Sequence, residues 1–182
     1  TFEKKKYSLS NINSAEVDFD FTILISEKTL NFKEIIKEFK STIIIDNKTK
    51  IDQLELPFKK IVDLTCISYS KKESLLKELS KRKETRIVSD LSLYSIEPLL
   101  SISPNIIGAV AYNFYSPNST IEYINESNYG EQLILNFLSK LNFKGIKLDY
   151  FKKSFIYPRV ISMIVYEAFL ALDDKLASKE HL

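Results

Sequence analysis

Asp46 is a residue whose place in the sequence suggests binding chemistry. It closes the apolar run Thr42-Ile-Ile-Ile-Asp46, and an acid at the end of such a run can hold the hydroxyls of a ribose. The same residue, followed by Asn47, also starts an ordinary turn. A dinucleotide site needs glycines after the first strand as well, because a side chain there blocks backbone approach to the pyrophosphate. The chain has 3 glycines, Gly108, Gly130 and Gly145, and none lies near that place. The matching segment, 21–32, offers Ser26, Glu27 and Lys28. Glu27 would put negative charge where a phosphate should sit. Few other side chains could carry a reaction. Cys66, the single cysteine, lies in the apolar run 61–67 and reads as a small buried hydrophobe. A thiolate nucleophile would want a nearby histidine, and the one histidine is His181. Zinc lacks ligands.

The elements that position these residues follow from apolar spacing. Residues 1–17 read as irregular and polar. A strand is expected over 19–25, and a helix over 32–39 with Asn31 as its cap. Thr42–Asp46 reads as a second buried strand and 61–67 as a third. Leu75, Leu76 and Leu79 give one apolar face to an otherwise charged helix over 71–83. Strands over 86–89, 106–112, 120–124 and 146–149 follow, with helices over 96–101, capped by Ser95, and 131–141, where Gly145 suits a helix stop. Alternating strands and helices predict an α/β fold: a Rossmann-like, mostly parallel twisted sheet flanked by helices. A long apolar helix over 155–172, with Pro158 in its first turn, ends the chain. It is apolar over more than one face and needs burial on two sides: the sheet domain can cover one, a second chain or missing residues the other, and a homodimer through the helix is the expected assembly.

Bulk properties narrow the partners. The 182 residues carry 26 basic and 24 acidic side chains, a formal charge of +2, so neither nucleic acid nor an anionic membrane is expected. The runs Lys4–Lys6 and Lys81–Lys83 read as solvated ends. No segment reaches the roughly 18 apolar residues of a membrane span, and the start lacks an apolar leader. A lone cysteine fits a reducing cytoplasm. The chain opens on Thr1 rather than methionine, which suggests trimming or a fragment of a longer protein.

Several motifs occur in a suggestive order: Ser89-Asp-Leu-Ser-Leu-Tyr-Ser-Ile96, the stretch 108–117 ending Asn113-Phe-Tyr-Ser-Pro117, Ser154-Phe-Ile-Tyr-Pro-Arg159, and Tyr166-Glu-Ala-Phe-Leu-Ala-Leu with Ala177-Ser-Lys-Glu180. Together, 61–179 resembles the 3-hydroxyacyl-CoA dehydrogenases, NAD-dependent enzymes of fatty acid metabolism. The resemblance implies a Rossmann-like NAD-binding-type domain over 1–152 and the start of a helical dimerisation domain over 153–182. It implies Ser92 near a substrate hydroxyl and Glu122 as the residue orienting the catalytic histidine. That histidine's place falls on Asn113, and an amide cannot take a proton from a hydroxyl near neutral pH. The family's active-site asparagine falls on Pro158. Ser92 also reads as a turn residue satisfying backbone, and Glu122 as solvent-facing polarity.

Three functions follow as expectations. The first is a degenerate relative without NAD binding or hydride transfer, needing no cofactor and acting by binding or assembly, with acyl-CoA as a possible ligand. The second is an active NAD-dependent 3-hydroxyacyl-CoA oxidoreductase with a non-standard turn, using Tyr112 or Tyr115 as acid and Asp46 for the cofactor. The third is a site for a neutral polar ligand at the strands' carboxyl ends, lined by 26–29, 68–70, 89–93 and 113–116.

Overall fold

The computed structural model describes residues 21–46, 48–114, 119–125, 127–149, 154–176 and 178. The expected irregular start, Tyr115, Ser116, His181 and the 152/153 boundary lie outside them. Seven strands form one sheet: β1 Phe21–Ile25, β2 Thr42–Ile44, β3 Lys60–Asp63, β4 Arg86–Asp90, β5 Ile106–Val110, β6 Thr120–Asn125 and β7 Lys144–Lys147. Their spatial order is β2-β1-β3-β4-β5-β6-β7. All neighbouring pairs are parallel except β5 and β6. The helices are α1 Phe32–Glu38, α2 Tyr69–Ser80, α3 Ile96–Leu100, α4 Asn128–Lys140 and α5 Ile156–Asp173. The mostly parallel α/β architecture read from the sequence is therefore present.

Apolar residues on both faces explain why the central strands are buried on both sides. On one face Ile23, Ile25 and Val62 meet Ile35, Phe137 and Leu138. On the other, Leu24, Ile61 and Ile87 meet Leu75, Leu76 and Leu79 of α2. Each such leucine removed from water stabilises the fold by about 1.5–3 kcal/mol. Gly108 is required where β5 meets β6: a Cβ there would stand 2.7 Å from the Ile124 carbonyl oxygen and 2.9 Å from Ile134.

Several local expectations change. Strand β3 ends at Asp63 rather than residue 67, and β5 at Val110, followed by a 3-10 turn over Tyr112–Phe114. Neither Asn31 nor Ser95 makes a side-chain cap bond; Asn31 takes the left-handed conformation (φ 54°). Helix α4 ends at Lys140 with Leu141 as its cap, and Asn142, whose φ is 57°, supplies the left-handed turn, so Gly145 is not the stop. Gly145 lies in β7, where a Cβ would meet the Tyr123 ring at 2.8 Å. No helix among the described residues is long and apolar enough to cross a membrane.

Among the described residues, helix α5 is rooted in the sheet at its start and mostly exposed beyond it. Phe155 and Pro158 are buried. Both Glu122 carboxylate oxygens accept the Tyr157 N–H at 3.1 Å, which anchors the helix start to β6. Beyond that root, Met163, Tyr166 and Phe169 are 60%, 62% and 66% exposed. The expected burial against the sheet is thus confined to the first turn.

Candidate functional site

The chain leaves β1, forms β2 on one side, then crosses to β3 on the other, so the carboxyl ends of β1 and β3 flank the place where strand order reverses. Open α/β sheets bind ligands there. Here side chains bridge the gap. The Thr29 hydroxyl donates to the Leu64 carbonyl at 3.0 Å and accepts the Ser26 N–H at 2.9 Å. The Thr29 N–H goes back to the Ser26 carbonyl at 2.9 Å. The Ser26 hydroxyl accepts the Cys66 N–H at 2.9 Å. Ser26 and Thr29 are both buried. A polar turn closing on itself is what serine and threonine favour and what glycine cannot provide.

Asn113 fastens the same region from the β5 side. Its Oδ1 accepts the Leu30 N–H at 2.9 Å. Its Nδ2 donates to the Leu64 carbonyl at 3.1 Å and to Asp90 Oδ2 at 2.6 Å. Its own N–H reaches the same Asp90 oxygen at 2.7 Å. Both amide protons are thereby committed, and a flipped amide would set NH₂ against N–H. Asp90 Oδ1 accepts the Ser92 N–H at 2.8 Å, so Asp90, not the Ser92 hydroxyl, closes the turn after β4. Burial pushes the Asp90 carboxyl above its ordinary range, while Lys72, Ser92 and the Asn113 N–H pull it back. The Ser92 hydroxyl stands near enough to Asp90 to favour its charge, yet it is buried without a partner of good hydrogen-bond geometry.

Beneath this lies an ion pair that the sequence reading did not single out. Lys72 and Asp63 side chains are 0% exposed and meet at 2.8 Å. Asp63 also accepts the Ser89 hydroxyl at 2.6 Å and the Thr65 hydroxyl at 2.6 Å. Lys72 donates to Thr65 at 3.0 Å and stands 5.7 Å from the Tyr94 ring centroid. The signal was an aspartate inside the apolar run Ile61-Val-Asp-Leu64, since a buried carboxylate needs a partner.

The remaining expected site residues fall apart in space. Glu122 is spent on the α5 root. Tyr112 is fully buried, its ring 6.0 Å from that of Phe137 and 5.8 Å from that of Phe143. Asp46 Oδ1 accepts the Lys48 N–H at 2.8 Å and the Thr49 hydroxyl at 2.6 Å, a turn in its own right. The Thr49 bond leads in holding the Asp46 carboxyl below its ordinary value. Asp46 also lines a cavity of about 570 Å³ outside β1, β2 and β3, shared with Ser26, Glu27, Lys28, Lys48, Cys66, Ser68 and Lys71. Five charged residues there correct the expectation of a crevice with few charges, and neither Ser92 nor Asn113 reaches it. Cys66 is half-buried rather than buried; desolvation, then the Asp90 charge, raises its thiol pKa.

Sheet order, crossover and flanking helices define a Rossmann-like fold. No family model matches the chain, and no curated protein matches it in sequence. Solved structures do. The chain is similar to (S)-3-hydroxybutyryl-CoA dehydrogenase PaaH1 from Ralstonia eutropha, with 17% identity and a TM-score of 0.59 over 89% of this chain and 74% of that one. It is similar to a diketoreductase, with 16% identity and a TM-score of 0.55 over 78% of this chain and 52% of that one. M. tuberculosis FadB2 gives 12% identity and a TM-score of 0.55 over 78% and 51%. The chain spans about half the length of the last two. At these identities the likeness establishes the fold.

Proposed function

We propose that this chain is a 3-hydroxyacyl-CoA dehydrogenase-related protein that has given up NAD binding and hydride transfer and acts by binding or assembly. One observation carries the reading: the Ser26 and Thr29 side chains occupy the switch-point turn and tie it to β3, while the N–H groups of Ser26, Thr29 and Leu30 are consumed internally. A pyrophosphate needs such N–H groups turned outward and no side chain between. The residues present do not fit it. Asn113 adds a chemical argument, because its amide is committed on both sides and is no base.

Assembly rests on α5. Its exposed apolar residues face several directions, and Arg159 near its start matches Asp173 and Asp174 near its end. An antiparallel pairing of two copies would bury the former and oppose the latter, as a two-fold interface requires. Acyl-CoA is the ligand class to try first, given the substrates printed in the names of the structural neighbours.

NADH fluorescence titration with an assay of 3-hydroxybutyryl-CoA oxidation tests the reading. We expect neither saturation nor turnover. Turnover that disappears in Ser92→Ala would sink it. A second reading, an active oxidoreductase with a non-standard turn, is favoured by the cavity beside Asp46. It requires heat of binding with millimolar NAD in calorimetry, weakened by Asp46→Ala.

A further inference from the structure

Among the described residues, no cation touches the Asp90 carboxyl at the end of β4, although it is 1% exposed. Its hydrogen bonds all come from N–H groups. Oδ1 accepts the Ser92 N–H at 2.8 Å; Oδ2 accepts the Asn113 N–H at 2.7 Å and Asn113 Nδ2 at 2.6 Å. Lys72 is in contact with Asp63 and Thr65 and acts on Asp90 only from a distance. The other titratable groups that act on Asp90 are the Cys66 thiol beyond β3 and the Tyr94 phenol beyond β4, which bring it no positive charge. A carboxylate in such a place is costly, and N–H donors offset part of the cost. The acid form needs an acceptor for its own proton, and none of the three donors is one. The Ser92 hydroxyl is: it lies buried beside Asp90 with no partner, and a hydroxyl turns to accept from an acid as well as to donate to a carboxylate. Both forms of Asp90 are therefore accommodated, and burial favours the neutral one.

Asn113 closes over this carboxyl and also accepts the Leu30 N–H at 2.9 Å, so one amide links Asp90 to the turn after β1. Leu30 is 41% exposed, which puts that tie at the rim, where water reaches first. We infer that Asp90 is a proton-operated latch on the turn after β1. Neutral, it lets Asn113 stay closed over it and hold Leu30. Charged, it gains more from water than from the Asn113 bonds, so Asn113 swings away and the Leu30 N–H is released. Burial fixes the direction: the closed state binds the proton more tightly than the opened, hydrated one. Its advantage is complete below the ordinary aspartate value of 3.8 and is lost as pH rises through the raised value. The inference does not rest on the proposed loss of NAD binding, since the latch is read without any nucleotide.

An NMR titration of the whole chain with acid and base tests it, following the Asp90 Cγ resonance beside the amide exchange of Leu30 and of Ile45, whose N–H is held by the Ile25 carbonyl at 2.7 Å. The Asp90 resonance should titrate above 3.8. Corrected for intrinsic exchange, protection at Leu30 should fall by up to about tenfold per pH unit from there to the Asp90 midpoint and level off beyond it. Leu30 should exchange faster than Ile45 throughout, the mark of a local opening and not of unfolding. Asp90→Asn, which cannot ionise, should remove the pH dependence at Leu30. If that variant fails to fold, the Asp90 and Leu30 curves of the parent chain carry the test alone. An Asp90 midpoint at or below 3.8 would overturn the inference. So would Leu30 protection that is flat or rises through the Asp90 titration, Leu30 exchange no faster than that of Ile45, or the parent's pH dependence retained in Asp90→Asn.

Discussion

At the carboxyl ends of β3 and β4, Asp63, Lys72 and Asp90 are buried and held by several partners each, whereas along α5 large apolar side chains stand in water. The first region buries what is costly to bury and satisfies it; the second exposes what is costly to expose. An enzyme crevice of this fold usually shows the reverse, with polar groups held unsatisfied for a substrate. The contrast puts the larger unmet surface demand on the helix, with the Ser92 hydroxyl the unpartnered group beside Asp90, and this is what supports the proposed assembly role.

The sharpest break in that contrast comes from Lys72→Met. It strands Asp63 without its cation, and chemical unfolding should show a loss of about 3–5 kcal/mol. Asn113→Ala comes next. It removes the amide that joins Leu30, Leu64 and Asp90, and should cost about 1–3 kcal/mol with faster hydrogen exchange at Leu30. On the helix the effect should be on association rather than folding. Met163→Glu with Phe169→Glu should leave the unfolding midpoint nearly unchanged and shift sedimentation from dimer to monomer. A monomeric parent chain would instead remove the assembly half of the account.

A smaller effect depends on pH. Asp90 binds its proton more readily when folded, because burial disfavours its charge. Its contribution to stability is therefore full below the ordinary aspartate value of 3.8 and declines as pH rises through its raised value. Asp90→Asn should flatten that decline, read as the difference in urea midpoint between variant and parent across the acidic range. The surface link from Glu131 to Lys147 runs the opposite way: Lys147, then Tyr123, holds the Glu131 carboxyl below 4.5, so its support is present above that value and lost on acidification. Lys147→Ala should cost no more than about 0.5 kcal/mol, given the exposure of the pair.

The sheet was legible because Phe21–Ile25, Ile61–Asp63 and Ile106–Val110 are apolar runs that only a doubly covered sheet can bury. The missing glycine turn was legible as an absence, and Ser26 was named there. What filled the gap was not. Thr29 reaching Leu64, and Asn113 reaching Leu30, are contacts between residues 35 and 83 positions apart, and only the crossover brings them together. Lys72 went unnoticed in a helix read as charged outside its leucine face, because its burial depends on the Asp63 carboxylate nine residues earlier, at the end of β3. Glu122 acquires its place only through the start of α5, which no local pattern links to β6.

The most direct measurement follows the backbone amide resonances of Ser26, Thr29 and Leu30 while millimolar NADH is added. Retained positions and continued protection from exchange are expected, since those protons already have acceptors within the chain. Saturable displacement of all three, with loss of protection, would mean that the turn opens for the dinucleotide and would contradict the account.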